Sequence, residues 1–234
     1  MNPEPIPDSS PEGDPPRIRV WDLPTRVFHW ALVLTLVGSV VTIKVAGNWV
    51  PYHFWCGYTA LTLILFRLAW GFVGGRHARF ASFVYGPAAT IAYAKGLFGR
   101  GGPHYLGHNP MGALSVFALL ASVLFQAVTG LFANDDIANE GPLVRLISKE
   151  LSDQITSLHH LNKWVLLALV AAHVTAILFY LHAKKENLIR PMLDGHKAGP
   201  PDQATADTAA TRLAAAGIAL AAAVLVYYVI NFRR

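Results

Sequence analysis

Five stretches of this chain are apolar enough to cross a lipid bilayer, and no other feature narrows its possible folds so far. A helical span needs roughly 20 largely apolar residues. The stretches cover about residues 27–43, 52–73, 111–132, 161–181 and 213–230. Only 14% of the 234 residues are charged, against about 25% in an ordinary soluble domain. Mean hydropathy is +0.38. The chain is therefore read as an all-α integral membrane protein, with a bundle of four spans and one extra C-terminal span.

The remaining sequence organises these spans. Residues 1–16, rich in Pro, Asp, Glu and Ser, read as a disordered tail. They lack the basic start and apolar run of a cleavable signal peptide. A four-span domain over 17–195, a polar linker over 196–211 and a terminal span over 212–234 complete the expected division. The linker region is expected as exposed coil. Residues 83–98 are a candidate interfacial helix, and 143–151 a candidate surface helix.

The net charge of +5 and pI near 9.4 do not point to nucleic acid, because the basic residues flank the spans. Twelve Lys and Arg fall on the side of the N-terminus, and six on the other. By the positive-inside rule the N-terminus is cytoplasmic, and the acidic 133–158 loop faces the periplasm or exterior of a bacterial inner membrane. Arg233 and Arg234 run against this trend. Cys56, the single cysteine, excludes an internal disulfide and a cysteine-bound cluster, and reads as a packing residue. The absence of a C-x-x-C-H run excludes covalent c-type haem.

Ionisable groups within spans are costly, and each raises a functional question. His159 and His173 are 14 residues apart in the fourth span. At 100° per residue they share one face to within about 40°, with a rise of about 21 Å between them. His160 points elsewhere. Antiparallel threading brings His53 level with His159 near the outer surface, and His29 level with His173 near the cytoplasmic one. Paired imidazoles from two helices suit haem iron, and two ligands per iron leave no open position, which favours electron transfer over oxygen binding. A histidine-based metal transporter or proton relay and purely structural roles remain open at this point. A transporter would be expected to balance its cation with an intramembrane Asp or Glu, and none lies in the first four apolar stretches.

Arg26, Arg67 and Lys163 are candidate partners for haem propionates, with Asn162 a weaker one. Arg67 alternatively snorkels to the headgroups. His77, His104, His108, His182 and His196 read as surface or cap residues, and the six tryptophans as an interfacial belt.

The run Trp21-Asp22-Leu23-Pro24-Thr25-Arg26-Val27-Phe28-His29-Trp30 resembles the opening of bacterial cytochrome b561 proteins. Phe66-Arg67-Leu68-Ala69-Trp70-Gly71-Phe72-Val73-Gly74 and Tyr105-Leu106-Gly107-His108-Asn109-Pro110-Met111-Gly112 are similar to later parts of that pattern. The superfamily includes the b-type cytochrome subunits of nickel-iron hydrogenases and formate dehydrogenases. The resemblance implies a four-helix bundle with two haems b on histidines at the positions of His29, His53, His159 and His173. It also implies exchange with membrane quinone (ubiquinone or menaquinone) and with an outer redox partner. The fifth span and the very short connection between the first two spans depart from the pattern.

The expected function is transmembrane electron transfer between the quinone pool and a periplasmic c-type cytochrome, dehydrogenase or hydrogenase. A stand-alone superoxide- or quinone-oxidising oxidoreductase, with Lys44 and Lys163 drawing in an anion, and a haem-free transporter are the alternatives. The small-residue surface of the fifth span, around Ala214–Ala216 and Ala221–Ala223, suits either a partner subunit or lipid.

Overall fold

The computed structural model describes residues 16–97, 99 and 105–232. Nearly all of the expected tail, His104, Arg233 and Arg234 lie outside the described residues. Five helices are long and apolar enough to span a membrane: α1 (Leu23–Val45), α2 (Val50–Val73), α4 (Pro110–Gly130), α5 (Lys149–His182) and α7 (Ala209–Ile230). Two short helices, α3 (Pro87–Gly96) and α6 (Ile189–Asp194), lie in the connections.

Local chemistry sets where the helices begin. Prolines stand in the first turn of α1, α2, α3 and α4, where a missing amide hydrogen costs nothing. Asp22, Asn109, Ser148 and Thr208 cap α1, α4, α5 and α7 through side-chain oxygens. Helix α5 is longer than its apolar stretch. Its 34 residues rise about 51 Å, against a hydrocarbon core of about 30 Å. Of the surface helix expected over 143–151, only 149–151 are α-helical, and they open α5 instead. A single 3₁₀ turn at Val144–Leu146 precedes them.

Helix α1 packs on α2, α2 on α4, and α4 on α5, while α7 lies along α2. The core joins Phe28 of α1, Ile64 and Trp70 of α2, Leu120 and Val123 of α4, Leu166 of α5 and Ala215 of α7. A second cluster holds Leu61, Leu131 and Val226. The fifth span is thus part of the packed bundle. By contrast, α5 forms no extensive helix packing with α1 or α2.

Polar structure closes the two ends. One end, here called basic, carries the first described residues, the described parts of the 74–109 segment and the 183–208 linker. The other, acidic, end carries the 46–49 turn and the 131–148 loop. The linker corrects the expectation of exposed coil. Strand β2 (His196–Ala198) pairs antiparallel with β1 (Arg17–Arg19). Val20 and Trp21 donate to the Gly195 carbonyl. Gly195 adopts φ +87°, and a Cβ there would stand 2.8 Å from the Trp21 carbonyl oxygen, so glycine is required. Thr205 is buried and donates to Val20 at 2.9 Å. Asp207, 1% exposed, accepts from Arg19 and Arg212, both at 2.8 Å.

Asp22 is the hub beneath this ribbon. Its carboxylate accepts from the Thr25 amide at 2.7 Å, the Gly75 amide at 3.0 Å and the Trp70 indole at 3.3 Å. It fixes the start of α1 to the end of α2. Trp21 and Trp70 are buried, which removes both from the expected aromatic belt, whereas Trp49, Trp55 and Trp164 are exposed.

Candidate functional site

Helices that do not pack together are bridged by histidines. His53 of α2 faces His159 of α5 at the acidic end, with ring centroids 6.5 Å apart and planes at 87°. His29 of α1 faces His173 of α5 at the basic end, also 6.5 Å apart, at 52°. Metal–imidazole bonds of about 2 Å on either side of one ion place two rings about 6 Å apart, centre to centre. Each pair could hold one iron. All four rings are half-buried, as ligands beside a bulky apolar group must be, while His160 is exposed.

Tautomers follow from the acidic-end hydrogen bonds. His53 Nδ1 donates to the Ser39 carbonyl at 2.9 Å, and His159 Nδ1 to the Gln126 carbonyl at 3.0 Å. A carbonyl only accepts, so each proton sits on Nδ1 and Nε2 carries the lone pair a ligand would need; at His159 the Gln126 amide would first have to turn away. Such bonds orient the ring and raise its basicity as a metal ligand. The Gln126 side chain donates to His159 Nε2 at 3.0 Å. Asn162 ties α5 to α4 through Ser122 and Gln126, at 3.0 and 2.7 Å. It is fully engaged and no longer stands out as a propionate partner. Gly130 leaves room for the His159 ring, since a Cβ there would lie 3.2 Å from Cε1.

Orphaned polar atoms mark the basic end. His29 Nδ1, Arg26 Nε, Arg67 Nη1, Thr25 Oγ1 and His108 Nδ1 are buried without a partner. Arg67 is 3% exposed, donates to the Ala78 carbonyl at 3.0 Å, and sits 4.8 Å from the centre of the Phe80 ring. This excludes snorkelling to the headgroups. Arg26 donates to the Leu193 carbonyl through its other arm. A buried donor left unpaired is expensive, so free guanidinium donors at the same end of the bundle as a histidine pair fit an anionic group such as a carboxylate. At the acidic end, Lys163 lies over the Trp164 ring at 5.1 Å.

Two histidines read as surface residues prove to be half-buried. His108 is sandwiched between Trp21 and Phe83, with centroids 4.8 and 4.5 Å away. His77 bonds the Gln203 carbonyl at 2.9 Å. Their neighbours come from distant parts of the sequence, so local pattern gives no sign of this burial. Burial, with the positive charge of Arg67 and Lys197 adding to it, holds His108 well below the usual histidine range. Burial lowers His77 as well, against the pull of the Gln203 carbonyl.

Comparison with known proteins follows the same lines. The family described as prokaryotic cytochrome b561 matches residues 20–195. A probable Ni/Fe-hydrogenase B-type cytochrome subunit of Azotobacter vinelandii is 28% identical over 80% of this chain and 90% of its own length. A probable Ni/Fe-hydrogenase 1 B-type cytochrome subunit of Escherichia coli K12 is 26% identical, covering 76% and 90%. The corresponding Cupriavidus necator protein is 24% identical, covering 76% and 86%. No solved structure matches the chain.

Proposed function

The chain belongs to the prokaryotic cytochrome b561 family, and from that premise we propose that it is a di-haem electron conduit between the membrane quinone pool and a redox partner at its acidic end. Family membership implies haem b and electron transfer in the membrane. The finer reading assigns one haem to His53 and His159 and the other to His29 and His173. Arg26 and Arg67 serve the basic-end propionates, and Lys163 is the candidate at the acidic end. The single observation that carries this is the pair of equal 6.5 Å histidine bridges between helices that otherwise do not pack.

Bound haem supplies reversible one-electron chemistry at iron. The protein's own residues do the rest. Ser39 and Gln126 hold the acidic-end imidazoles in the ligating tautomer. The buried guanidinium of Arg67 and the half-buried one of Arg26 offer charge-assisted hydrogen bonds to carboxylates. The apolar spans keep water from both histidine pairs. The rise of about 21 Å from His159 to His173 places two redox centres across most of the bilayer's hydrocarbon core, which spans about 30 Å. The excess of basic residues at one end supports a cytoplasmic basic end and a bacterial inner-membrane location. Because the relatives are named as cytochrome subunits of Ni/Fe-hydrogenases, a hydrogenase or a similar dehydrogenase is the favoured partner class, ahead of a c-type cytochrome.

The reduced-minus-oxidised visible spectrum and haem content of the purified chain test this directly. A b-type α-band with about two haems per chain is expected. A colourless protein would refute the reading, and a single haem would refute the ligand pairs.

A further inference from the structure

At the basic end, outside the histidine pairs, lies a cavity of about 230 Å³ walled by His77, Tyr85, Tyr105, His108 and Gln203. A water molecule takes about 30 Å³ of liquid, so several fit. His108 is the unusual wall. Its Nδ1 is buried without a partner, while its backbone carbonyl is fixed by the Tyr85 hydroxyl at 2.9 Å. Its ring is held between two aromatic rings, and their faces attract a cation at such distances. The charged and titratable groups acting on it come from every neighbouring element: Arg67 of α2, His77 after α2, Lys197 of β2 and His173 of α5.

We propose that His108 is a proton acceptor coupled to reduction at the His29–His173 site, with the cavity as its path to water; this rests on the haem reading above. If the basic-end iron were reduced from ferric to ferrous, with one electron from a quinol or the redox partner, the His108 imidazole would take one proton from cavity water. The imidazole becomes imidazolium, and the net charge of the region is unchanged. Before reduction, burial and the repulsion of Arg67, Lys197 and His77 keep the ring neutral. An added electron in a region of low dielectric opposes that repulsion. A propionate paired with Arg67 weakens it further.

The test is potentiometric titration of both haems in the full chain between pH 5.5 and 9, for the wild type, H108Q and H108F. His29→Ala identifies the basic-end haem by its loss. The wild-type basic-end potential is expected to fall with rising pH, by up to about 59 mV per unit, the equivalent of a tenfold change in a one-electron equilibrium. Both variants should flatten that slope and leave the acidic-end haem alone. An unchanged slope in the variants, or a flat wild-type profile, overturns the proposal while the di-haem reading stands. Loss of the basic-end haem in both variants also overturns it, by making His108 a structural support. A chain without haem removes the reading and the proposal together.

Discussion

The two histidine pairs share a ring separation of 6.5 Å and differ in everything around it. At the acidic end both Nδ1 atoms are bonded to backbone carbonyls, and Gln126, Thr129 and Asn162 form a closed polar network with His159. At the basic end His29 Nδ1 is unpartnered, and so are Arg26 Nε and Arg67 Nη1. The acidic end is satisfied by the chain alone. The basic end leaves donors open, which the proposed haem carboxylates would fill. Ligand geometry is therefore the protein's own contribution at one site, and charge complementarity at the other.

Removing a ligand is the largest test of that division. His53→Ala or His159→Ala should lower haem content from about two per chain to one, and His29→Ala or His173→Ala should remove the other. Retention of both haems in His53→Ala would break the assignment. Thr129→Val comes next, since the Thr129 hydroxyl oxygen accepts from His159 Nδ1 at 3.1 Å. Loss of an outer-shell partner typically costs 10–100-fold in metal affinity, and here it should weaken the acidic-end haem alone, as read by haem retention on dilution. Equal weakening of both haems would erase the contrast.

Arg67→Leu should act on the basic end alone. Removing a positive charge beside an iron disfavours the reduced state, so that haem's potential should fall, by the equivalent of about 2 kcal/mol at an effective dielectric near 20. Redox titration decides whether the shift is confined to one haem. Lys163→Gln should move the acidic-end potential least, because that ammonium lies over Trp164 with Lys163 only half-buried.

The ends should also separate with pH. His77 and His108 are held neutral in the folded chain, burial being the main cause. The unfolded chain binds protons at these positions below about pH 6.5, so folded stability falls as pH drops from 6.5. Amide exchange at pH 5 should loosen the linker and the 74–79 turn before the acidic-end loop. Uniform loosening would contradict this origin.

The spans were legible in the sequence because apolar length and helical period are local properties. The four-histidine geometry was legible because one helix fixes the His159–His173 spacing. What escaped notice depends on residues far apart in the chain. The linker looked like coil, since three residues of strand have no signal without their partner 177 or more residues away. His108 looked superficial because Trp21 and Phe83, which bury it, come from other segments. Trp70 looked like a belt residue until Asp22 met its indole. The fifth span looked peripheral because its alanines, suited to close packing against α2, also read as a plain lipid anchor.

The ribbon of β1 and β2 has a consequence for biosynthesis. Acidic-end closure uses neighbours: Gly141 bonds Ala133, and Ser152 bonds Phe132. Such contacts form as soon as a short loop has emerged. Strand β1, by contrast, precedes four spans in the chain, and its partner beyond them ends at Ala198. Four spans must therefore be synthesised before the basic end can be latched. During that interval the chain has a finished floor and an open lid.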